Sequence, residues 1–397
     1  MSGDGLRPIR TPATLGMLGG GQLGRFFVGA AHELGYAVWV LDPDVDSPAG
    51  RIADRHLVAA YDDVPALDLL ADSCAAITTE FENVPAASLD RIASTTLVHP
   101  SASAVSVCQD RLAEKAFLRA HGFPVGPHAA VLSTDDLERA PDDLFPGVLK
   151  AARLGYDGKG QVVVATRAEA ADALARSGGV PSVLEALLPL DVEVSVVLAR
   201  GADGDVRCFP LAENRHVDGI LDLTVVPARV DGRLRAEAED LAARVAAALG
   251  YVGTMAVELF VSGGALVVNE LAPRPHNSGH HTLDSCVTDQ FEQQVRALCG
   301  LPLGDPRAHS AAVMVNLLGD VWPDGGGEPD WPTLLAVPGL ALHLYGKREA
   351  KPGRKMGHLT VIGGDPADAL AAALAVRSSI GVRTGGRVGT EAPGPGR

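Results

Sequence analysis

The segment Thr254–Pro273, TMAVELFVSGGALVVNELAP, decides the fold of this chain. Two apolar runs flank Ser262–Gly264, a pattern typical of strands joined as a β-hairpin. Each run contains one acid, Glu258 in the first and Glu270 in the second. Because a buried carboxylate is costly unless it is paired or bound to a metal, this pattern favours a cation site. The alternative is two exposed carboxylates at a sheet edge, which the apolar neighbours of both acids disfavour.

The register of this hairpin determines whether the two acids meet. A three-residue loop, Ser262–Gly264, pairs Ala256 with Glu270. It also pairs Val268 with Glu258, so the acids become diagonal neighbours on one face, ~7–8 Å apart at Cβ. A two-residue loop instead points them to opposite faces. If they share a face, oxygen ligands at this spacing suit Mg²⁺ bridging a triphosphate, with Mn²⁺ as a substitute.

Three features upstream favour a nucleotide at the same site. Lys150 ends the apolar run GVLK, from which an ammonium can reach phosphates; a solvated lysine is the alternative. Gly155–Gln161, GYDGKGQ, carries three glycines between two predicted strands and can close as a flap, unless it is only a long hairpin loop. Leu184–Leu188 contains Glu185 and precedes a strand with Glu193. Such a run can hold an adenine and a ribose, or it is a core strand.

A glycine loop near the N-terminus supports a competing interpretation. Gly19–Gly24 matches G-x-G-x-x-G between a predicted strand and helix, and Asp42 ends the next strand. Taken alone, this favours an NAD-dependent oxidoreductase about as much as any other function. The N–H groups of such a loop accept any anion, so a sugar phosphate fits as well as a pyrophosphate. The chain contains no G-x-x-x-x-G-K-[ST] motif, which argues against a P-loop.

Composition limits the possible partners. The 397 residues predict two to four domains. Lys plus Arg number 34 and Asp plus Glu 49, and the resulting net charge of −15 argues against nucleic-acid and anionic-membrane partners. Five cysteines without a C-x-x-C motif fit a reducing, cytoplasmic location. No run approaches ~20 uninterrupted apolar residues, so no membrane span is expected.

The chain resembles the N5-carboxyaminoimidazole ribonucleotide synthetase family of the ATP-grasp superfamily, from about residue 14 to 377. The matching motifs are GGGQLGR at 19–25, LDPDVDSPAG at 41–50, ITTEFENVP at 77–85, QDRLAEK at 109–115, GYDGKGQ at 155–161, ENRHVDGIL at 213–221, NELAPRPHNSGH at 269–280 and GKREAKPGRKMGHLTV at 346–361. GYDGKGQ and NELAPRPHNSGH are the most specific. One departure is Phe26-Phe27, where methionines are common in the family, and it changes packing only.

The resemblance implies a mixed α/β and α+β fold with three domains. A Rossmann-like parallel sheet, the pre-ATP-grasp domain, is expected at 14–105 after an N-terminal extension at 1–13. The ATP-grasp domain of two α+β subdomains is expected at 106–305, with its lid at about 125–190. A small β-rich C-terminal domain at 306–383 precedes a tail at 384–397 that is expected to be disordered. Within this scheme, residues 105–145 have a helical pattern.

The resemblance also implies a reaction. The family carboxylates 5-aminoimidazole ribonucleotide with bicarbonate and ATP, through carboxyphosphate, in purine biosynthesis, and a homodimer is expected. Alternatives are another ATP-grasp ligase, such as a formate-using one, an NAD-dependent oxidoreductase built on residues 14–100, or a non-catalytic nucleotide sensor. Retention of Lys150, Glu258 and Glu270 argues against the sensor.

Residue roles follow from the same resemblance. The expected metal ligands are Glu258 and Glu270, and the expected catalytic residues are Lys150, Asp157 and Arg274, of which Arg274 faces bicarbonate. ATP is expected to contact Arg111, Lys150, Gly155, Tyr156, Asp157, Gly158, Lys159, Gly160, Gln161, Glu185, Ala186, Leu187, Leu188, Glu193, His216, Asn269 and Glu270. The ribonucleotide and bicarbonate are expected to contact Gly20, Gly21, Gln22, Leu23, Glu80, Glu82, Tyr156, Asp157, Arg274, His276, Asn277, Ser278, Lys347 and Arg354. Lys347 and Arg354 are expected to reach the ribonucleotide phosphate.

Overall fold

The N-terminal part of the chain forms a parallel sheet. The computed structural model describes residues 7–155, 160–323 and 326–380. Strands run in the order β3-β2-β1-β4-β5, and all pairs are parallel, as the strand–helix alternation predicted. Helices cover both faces, so β1 and β4 are almost wholly buried. The elements are β1 (Thr14–Leu18), α1 (Gln22–Glu33), β2 (Ala37–Leu41), β3 (Arg55–Leu57), α2 (Val64–Ser73), β4 (Ala76–Thr79), α3 (Ala86–Ala93) and β5 (Leu97–Val98).

The next part contains a separate four-stranded antiparallel sheet in the order β6-β9-β7-β8. Its elements are α4 (Ala102–Cys108), α5 (Arg111–Ala120), β6 (His128–Val131), α6 (Thr134–Arg139), β7 (Gly147–Ala151), β8 (Gln161–Val164), α7 (Arg167–Arg176) and β9 (Ser182–Ala186). The helical prediction for 105–145 is wrong at β6, where edge pairing with β9 overrides the local helical pattern. Tyr156–Lys159 of the predicted flap lie outside the described residues.

A nine-stranded sheet forms the centre of the molecule. Its main path is β15-β14-β10-β12-β13-β16-β18-β17, and β11 pairs with β10. The C-terminal strands extend this sheet, because β16 pairs with β13. The elements are β10 (Val192–Arg200), β11 (Val206–Cys208), β12 (Ala212–Val217), β13 (Ile220–Val226), α8 (Gly232–Ala248), β14 (Gly253–Ser262), β15 (Ala265–Ala272), α9 (Thr282–Ser285), α10 (Gln290–Leu298), β16 (Ala311–Leu318), α11 (Trp331–Leu335), β17 (Leu340–Leu344), β18 (Lys355–Gly363) and α12 (Pro366–Ser379).

Helix α8 supports the hairpin from behind. Its sequence predicts an amphipathic helix that ends at a glycine, and Asp231 caps its first turn while Gly250 follows its end with φ of +58°. Leu241 and Val245 are buried against the inner face of β14, where Met255 belongs to the same apolar cluster. This packing fixes one face of β14 and leaves the other for polar residues.

Helix α10 ties the parallel sheet to the central sheet. Gln294 donates from Nε2 to the Thr78 hydroxyl of β4 at 2.7 Å and accepts from the backbone N–H of Thr254 in β14. Phe291 packs into the apolar cluster that contains Phe27 of α1. The ends of β4 and β14 are therefore held close together.

Two features bear on the chemical environment of the chain. The five cysteines, all within the described residues, are free thiols. In the described part of the chain, no helix has both the length and the apolar run that a bilayer crossing needs. The predicted tail at 384–397 lies outside the described residues.

Candidate active site

The hairpin turn is one residue shorter than expected. Gly263-Gly264 alone connects β14 to β15, with φ of +57° and +73°. Both residues adopt the left-handed conformation that two-residue hairpin turns require, so the prediction of a three-residue loop is wrong. A regular ladder from this turn would place Glu258 and Glu270 on opposite faces.

A β-bulge restores the common face. Leu259 pairs with Val268, whereas Glu258 pairs with Glu270, so Asn269 is the extra residue. The two acids are direct cross-strand neighbours, a position that brings Cβ atoms to ~4.5–5.5 Å. The Asn269 amide Nδ2 donates to Glu258 Oε2 at 3.3 Å, which places all three side chains together. Bulges of this kind re-aim side chains beside active sites.

Lysines on two other elements converge on the bulge. Lys150, on β7, donates to Glu185 Oε2 at 3.1 Å and to Asn269 Oδ1 at 3.4 Å. Lys115, on α5, donates to the Asn269 carbonyl at 2.9 Å and lies 3.6 Å from Glu185 Oε1. Burial alone would raise the pKa of Glu185, but the charges of Lys150 and Lys115 hold it below its usual value. The sequence did not single out Lys115, which occupies the QDRLAEK motif.

A buried acid lies behind the pair. Glu114 accepts the backbone N–H of Leu271 at 2.8 Å, and its other oxygen has no hydrogen-bond partner. Burial and the charge of Glu270 raise the pKa of Glu114 to about 8, so it is largely protonated at neutral pH. Arg111 donates to Glu270 Oε2 at 2.8 Å and partly neutralises the exposed acid. Sequence reasoning missed Glu114 because a helix position gives no signal of burial against a hairpin.

A further part of the wall carries an arginine–carboxylate pair and a histidine–carboxylate pair. Arg274 Nε donates to Glu82 Oε2 at 2.6 Å, and His276 Nε2 lies 3.0 Å from Glu258 Oε1. Burial would raise the pKa values of both acids, but the charge of Arg274 beside Glu82 and the hydrogen bond from His276 to Glu258 hold them below the usual range. His216 is hydrogen-bonded to Glu193; burial would lower its pKa, whereas Glu193 and Glu258 raise it. Glu82 and Glu258 are therefore ionised at neutral pH.

The N-terminal glycine loop binds carboxylates of the chain itself. Gly20 donates its N–H to Asp42 at 2.7 Å, while Gly21 and Gly24 donate to the two oxygens of Glu80 at 2.7 and 2.6 Å. A Cβ on Gly19, whose φ is +108°, would lie 2.3 Å from the Glu80 Cγ atom. The glycines thus accommodate Glu80, whose pKa burial raises to about 7. The interpretation of this loop as a pyrophosphate site is wrong, because these donors are already bonded.

A cavity of about 950 Å³ joins these walls. It lies among β14, β15, the four-stranded sheet and the end of β4. Most predicted site residues line it: Gln22, Leu23, Glu80, Glu82, Arg111, Lys150, Gln161, Glu185, Ala186, Leu187, Leu188, Glu193, His216, Glu258, Asn269, Glu270, Arg274, His276 and Asn277. Residues of the lining that were not predicted as site residues include Phe81, Asn83, Val148, Val163, Leu190, Asp218, Phe260, His280 and Lys355.

Other predicted residues do not line the cavity or lie outside the described residues. The structure does not place Gly20, Gly21, Gly155, Gly160, Ser278, Lys347 or Arg354 on the cavity lining. Tyr156, Asp157, Gly158 and Lys159 lie outside the described residues.

The predicted residues that do not line the cavity have hydrogen-bond partners nearby. Ser278 is fully buried behind His276, with its hydroxyl 2.8 Å from the ring Nδ1. Arg354 donates to the Glu349 carbonyl at 3.1 Å, and Lys347 donates to the Lys355 carbonyl at 2.8 Å. Ser278 was predicted to line the cavity wall, but it lies behind the wall and supports His276.

The side of the cavity near the four-stranded sheet is apolar. Val163, Leu187 and Leu190 line it while 63%, 50% and 39% exposed. Val148 and Phe260 complete this surface. Exposed apolar side chains that face inward, next to Lys150, suit a planar heteroaromatic ring attached to phosphates.

Family models cover most of the chain. The Ribonucleotide synthetase preATP-grasp domain matches residues 12–109, and the ATP-grasp domain matches residues 116–291. The Phosphoribosylaminoimidazole carboxylase C-terminal domain matches residues 312–372. All three models therefore match in the order in which their domains were expected.

Curated relatives match nearly end to end. The N5-carboxyaminoimidazole ribonucleotide synthase of Brucella melitensis is 44% identical over 358 residues, which are 89% of this chain and 97% of the relative. The enzyme of the same name from Bacillus subtilis is 42% identical over 350 residues, 88% of this chain and 91% of the relative.

Solved structures agree with this relationship. The Thermus thermophilus N5-carboxyaminoimidazole ribonucleotide synthetase has a TM-score of 0.84 at 41% identity and covers 92% of this chain and 98% of its own. An Aspergillus clavatus N5-carboxyaminoimidazole synthase, solved with ADP and 5-aminoimidazole ribonucleotide, has a TM-score of 0.84 at 29% identity, with coverage of 93% and 98%. On this sequence and structural similarity, the chain belongs to the N5-carboxyaminoimidazole ribonucleotide synthetase family.

Proposed function

We propose that this chain is an ATP-dependent ligase that joins bicarbonate to the amino group of 5-aminoimidazole ribonucleotide. The products are N5-carboxyaminoimidazole ribonucleotide, ADP and phosphate, in purine biosynthesis. The observation that carries the proposal is one cavity that combines a phosphate-binding lysine, an apolar nucleotide surface and a pair of carboxylates. The relatives with 44% and 42% identity bear the name of this activity.

ATP is proposed to enter between the four-stranded sheet and the hairpin. The apolar surface of Val163, Leu187 and Leu190 would contact adenine, and Lys150 would contact phosphates. Glu193 and His216 lie on the same lining and would contact the ribose. Related structures were solved with ADP or ATP, which supports this nucleotide.

A divalent cation is proposed at the bulge. Glu258 and Glu270 share a face at adjacent strand positions, and both line the cavity with Asn269. Carboxylate and amide oxygens are the ligands that Mg²⁺ prefers, and Mn²⁺ accepts the same donors, so the residues fit the ion. When bound, the ion would neutralise charge on the phosphates of ATP.

Bicarbonate is a poor electrophile until it is phosphorylated. Transfer of the γ-phosphoryl group to a bicarbonate oxygen forms carboxyphosphate and releases ADP. Arg274 lies on the wall next to Glu82 and can pair a planar anion through parallel N–H donors. The exocyclic amine of the ribonucleotide then attacks the carboxyl carbon, and phosphate leaves.

A proton must leave the attacking amine. The departing phosphate or Asp157 is proposed as its acceptor; Asp157 lies outside the described residues. The ribonucleotide itself is proposed to lie beside Gln22 and Glu80, with its phosphate towards the basic segment 346–358.

The direct test is ADP release from purified protein with Mg-ATP and pairs of substrates. Release is expected with bicarbonate plus 5-aminoimidazole ribonucleotide and not with formate in place of bicarbonate. Lys150→Ala is expected to lose at least about 100-fold in kcat, consistent with lost phosphate positioning. Arg233→Ala, at a cation whose side chain is 70% exposed and paired with Glu237 on the surface of α8, is the control. Equal rates with formate would assign the chain to a different ligase reaction.

A homodimer and a cytoplasmic location complete the proposal. The homodimer rests on the family resemblance, and the location rests on the free cysteines. Sedimentation velocity of the purified chain tests the dimer, and a monomer at micromolar concentration would contradict it.

A further inference from the structure

A row of polar side chains crosses the central sheet beneath the cavity. Thr224 on β13 pairs with Asn214 on β12, and Ser195 on β10 pairs with Glu258 on β14. Thr224 and Ser195 are 0% exposed and Asn214 is 8% exposed. Because buried polar groups are retained only when they are bonded, the partners of this row show what it supports.

The row forms an unbroken hydrogen-bond chain. The Thr224 hydroxyl lies 3.0 Å from Asn214 Oδ1, and Asn214 Nδ2 lies 2.8 Å from the Ser195 hydroxyl. Ser195 Oγ is 2.7 Å from Ser278 Oγ, which is 2.8 Å from His276 Nδ1. The chain therefore runs from the middle of the sheet to the imidazole on the cavity wall.

A backbone N–H group indicates the direction in which the hydrogen bonds of this series are donated. Hydroxyls and an amide can donate either way, so the side chains alone leave the His276 tautomer open. The backbone N–H of Ser278, however, points at His276 Nδ1 at 3.3 Å and can only donate. Nδ1 therefore accepts this long contact together with the shorter 2.8 Å bond from the Ser278 hydroxyl, and the ring proton lies on Nε2. Because the hydroxyl bond is the stronger of the two, its loss leaves only the long backbone contact on Nδ1 to favour this tautomer.

The Nε2 proton then has one acceptor. Glu258 Oε1 lies 3.0 Å from His276 Nε2, and Asn269 Nδ2 donates to Glu258 Oε2 at 3.3 Å. Among the residues that the structure describes, each carboxylate oxygen accepts one of these bonds, and its other lone pair can face the cavity. A carboxylate fixed in this way is oriented before any ligand binds.

We propose that Asn214, Ser195 and Ser278 form a positioning chain that holds His276 as its Nε2–H tautomer and so orients Glu258 for a divalent cation. The cation is that of the proposed function, on which this inference rests. None of these three residues needs to touch substrate or metal. Their effect passes through the ring of His276.

A matched pair of variants separates this role from packing. Ser278→Ala removes the donor to His276 Nδ1. Ser285→Ala removes an equivalent buried hydroxyl, which lies 2.8 Å from Nδ1 of the buried His281 outside the cavity lining. Asn214→Asp has the same shape but cannot donate to Ser195. It therefore reverses the direction of the hydrogen bonds without leaving an empty space in the core. It remains available if Ser278→Ala does not fold.

Two measurements are made on each folded variant. The ring ¹⁵N spectrum of metal-free protein reports the tautomer of His276, assigned among the 12 histidines by its loss in His276→Gln. Mn²⁺ titration in the presence of ADP reports the dissociation constant of the cation. Wild type is expected to carry the proton on Nε2, and Ser278→Ala and Asn214→Asp to shift it towards Nδ1. Both variants are expected to weaken Mn²⁺ binding about tenfold, the lower end for partners of metal ligands.

The outcomes are separable. A proton on Nδ1 of His276 in wild type overturns this inference and leaves the proposed function intact. A dissociation constant for Mn²⁺ that is equal in Ser278→Ala and Ser285→Ala does the same. Wild type that fails to bind Mn²⁺ with ADP overturns the proposed metal site, and the inference with it.

Discussion

Glu270 faces the cavity with 37% of its side chain exposed and pairs with Arg111. Glu270→Gln keeps the shape of the side chain and removes the charge that would bind the cation. ADP release is expected to fall at least about 100-fold, because an outer-shell change alone costs 10–100-fold. The melting temperature should stay within a few degrees of wild type.

The measurement is ADP release across a Mg²⁺ titration, together with a melting curve. Glu237→Gln, at an acid paired with Arg233 on the surface of α8, is the control. Near-normal turnover at ordinary Mg²⁺ would remove Glu270 from the metal site.

Glu114 makes a pH prediction with a defined sign. Its pKa is raised from 4.5 to about 8 by burial and by Glu270, so the folded chain binds a proton that the unfolded chain releases. The stabilisation that this proton gives is fully present below pH 4.5. It is lost as pH rises from 4.5 through about 8. The loss approaches ~1.4 kcal/mol per pH unit within that window.

Glu114→Gln mimics the protonated acid and can still accept from the Leu271 N–H. Its melting temperature relative to wild type should therefore climb steadily between pH 5 and 8.5. The same difference for Glu237→Gln should stay flat. A flat difference for Glu114→Gln would show that the acid is ionised in the folded protein.

Individual acids were predictable from the sequence only where their neighbours were apolar along the strand. Glu258 and Glu270 were found in this way. Lys115 and Glu114 lie on a helix whose buried face depends on docking to β15, so no local pattern marks them. Lys355 is one of five cations within residues 347–355, and only the path of β18 selects it for the wall.

The β1–α1 loop is the element whose sequence was most misleading. It has the glycine spacing of a dinucleotide site, yet its N–H groups bind Asp42 and Glu80. Mg-ATP is therefore expected to raise the melting temperature, and NAD and NADP are expected to leave it unchanged. At 100 times the dissociation constant, a ligand adds about 2.7 kcal/mol of stability.

A thermal melting series with the three nucleotides decides this point. Lys150→Ala should lose the Mg-ATP shift, measured against the melting temperature of the same variant without ligand. A shift with NAD and none with Mg-ATP would restore the dinucleotide interpretation.

The segment 346–358 is the element proposed to hold the ribonucleotide phosphate. Lys347 donates to the Lys355 carbonyl and Arg354 to the Glu349 carbonyl, so the segment folds back on itself around Gly353. A charge-assisted bond to a dianion contributes ~1.5–3 kcal/mol. Alanine at Lys347 or Arg354 should raise the Michaelis constant for the ribonucleotide about ten- to hundredfold and leave that for ATP unchanged.

Steady-state kinetics with each substrate varied separately provides the measurement. Lys355→Ala belongs in the series because this lysine lines the cavity, and Lys351→Ala is the exposed control. If only Lys355→Ala raises the Michaelis constant for the ribonucleotide, its phosphate lies at the cavity wall and not within the folded-back segment.

Elements with strong local signals were predicted well. The helix before Gly250 and the parallel strands of the N-terminal sheet follow directly from their apolar spacing. The bulge at Asn269 could not be predicted, because it depends on contacts from Lys115 and Lys150 on other elements. Strand β6 was missed for a similar reason, since its pairing partner β9 lies about 50 residues later.

At the scale of the whole molecule, the central sheet runs without a break into the C-terminal region. Leu223 and Val225 on β13 pack in one cluster with Val313 and Val361 on β16 and β18. A chain that ends after residue 310 lacks the rest of this cluster and exposes Leu223 and Val225, at ~1.5–3 kcal/mol for each large side chain. Because domains are stable by only ~5–15 kcal/mol, the truncated chain should aggregate or melt without cooperativity.

A chain that ends after residue 380 retains every described element and is the control. Calorimetry and gel filtration of both chains provide the comparison. A soluble, cooperatively melting chain of residues 1–310 would show that the C-terminal strands are dispensable for folding. The order of domains was predictable from motifs, but this shared sheet was not, because strand pairing across about 90 residues has no local signature.

The bulge has a consequence for the gene. Val268 and Glu270 keep the same partners, Leu259 and Glu258, whether or not a residue stands between them. An in-frame loss of codon 269 therefore shifts no other pairing in the sheet. What disappears is the amide that links Lys150 to Glu258 and the carbonyl that accepts from Lys115. Loss of this one residue would therefore remove contacts of the candidate site while the strands of the sheet stay in register.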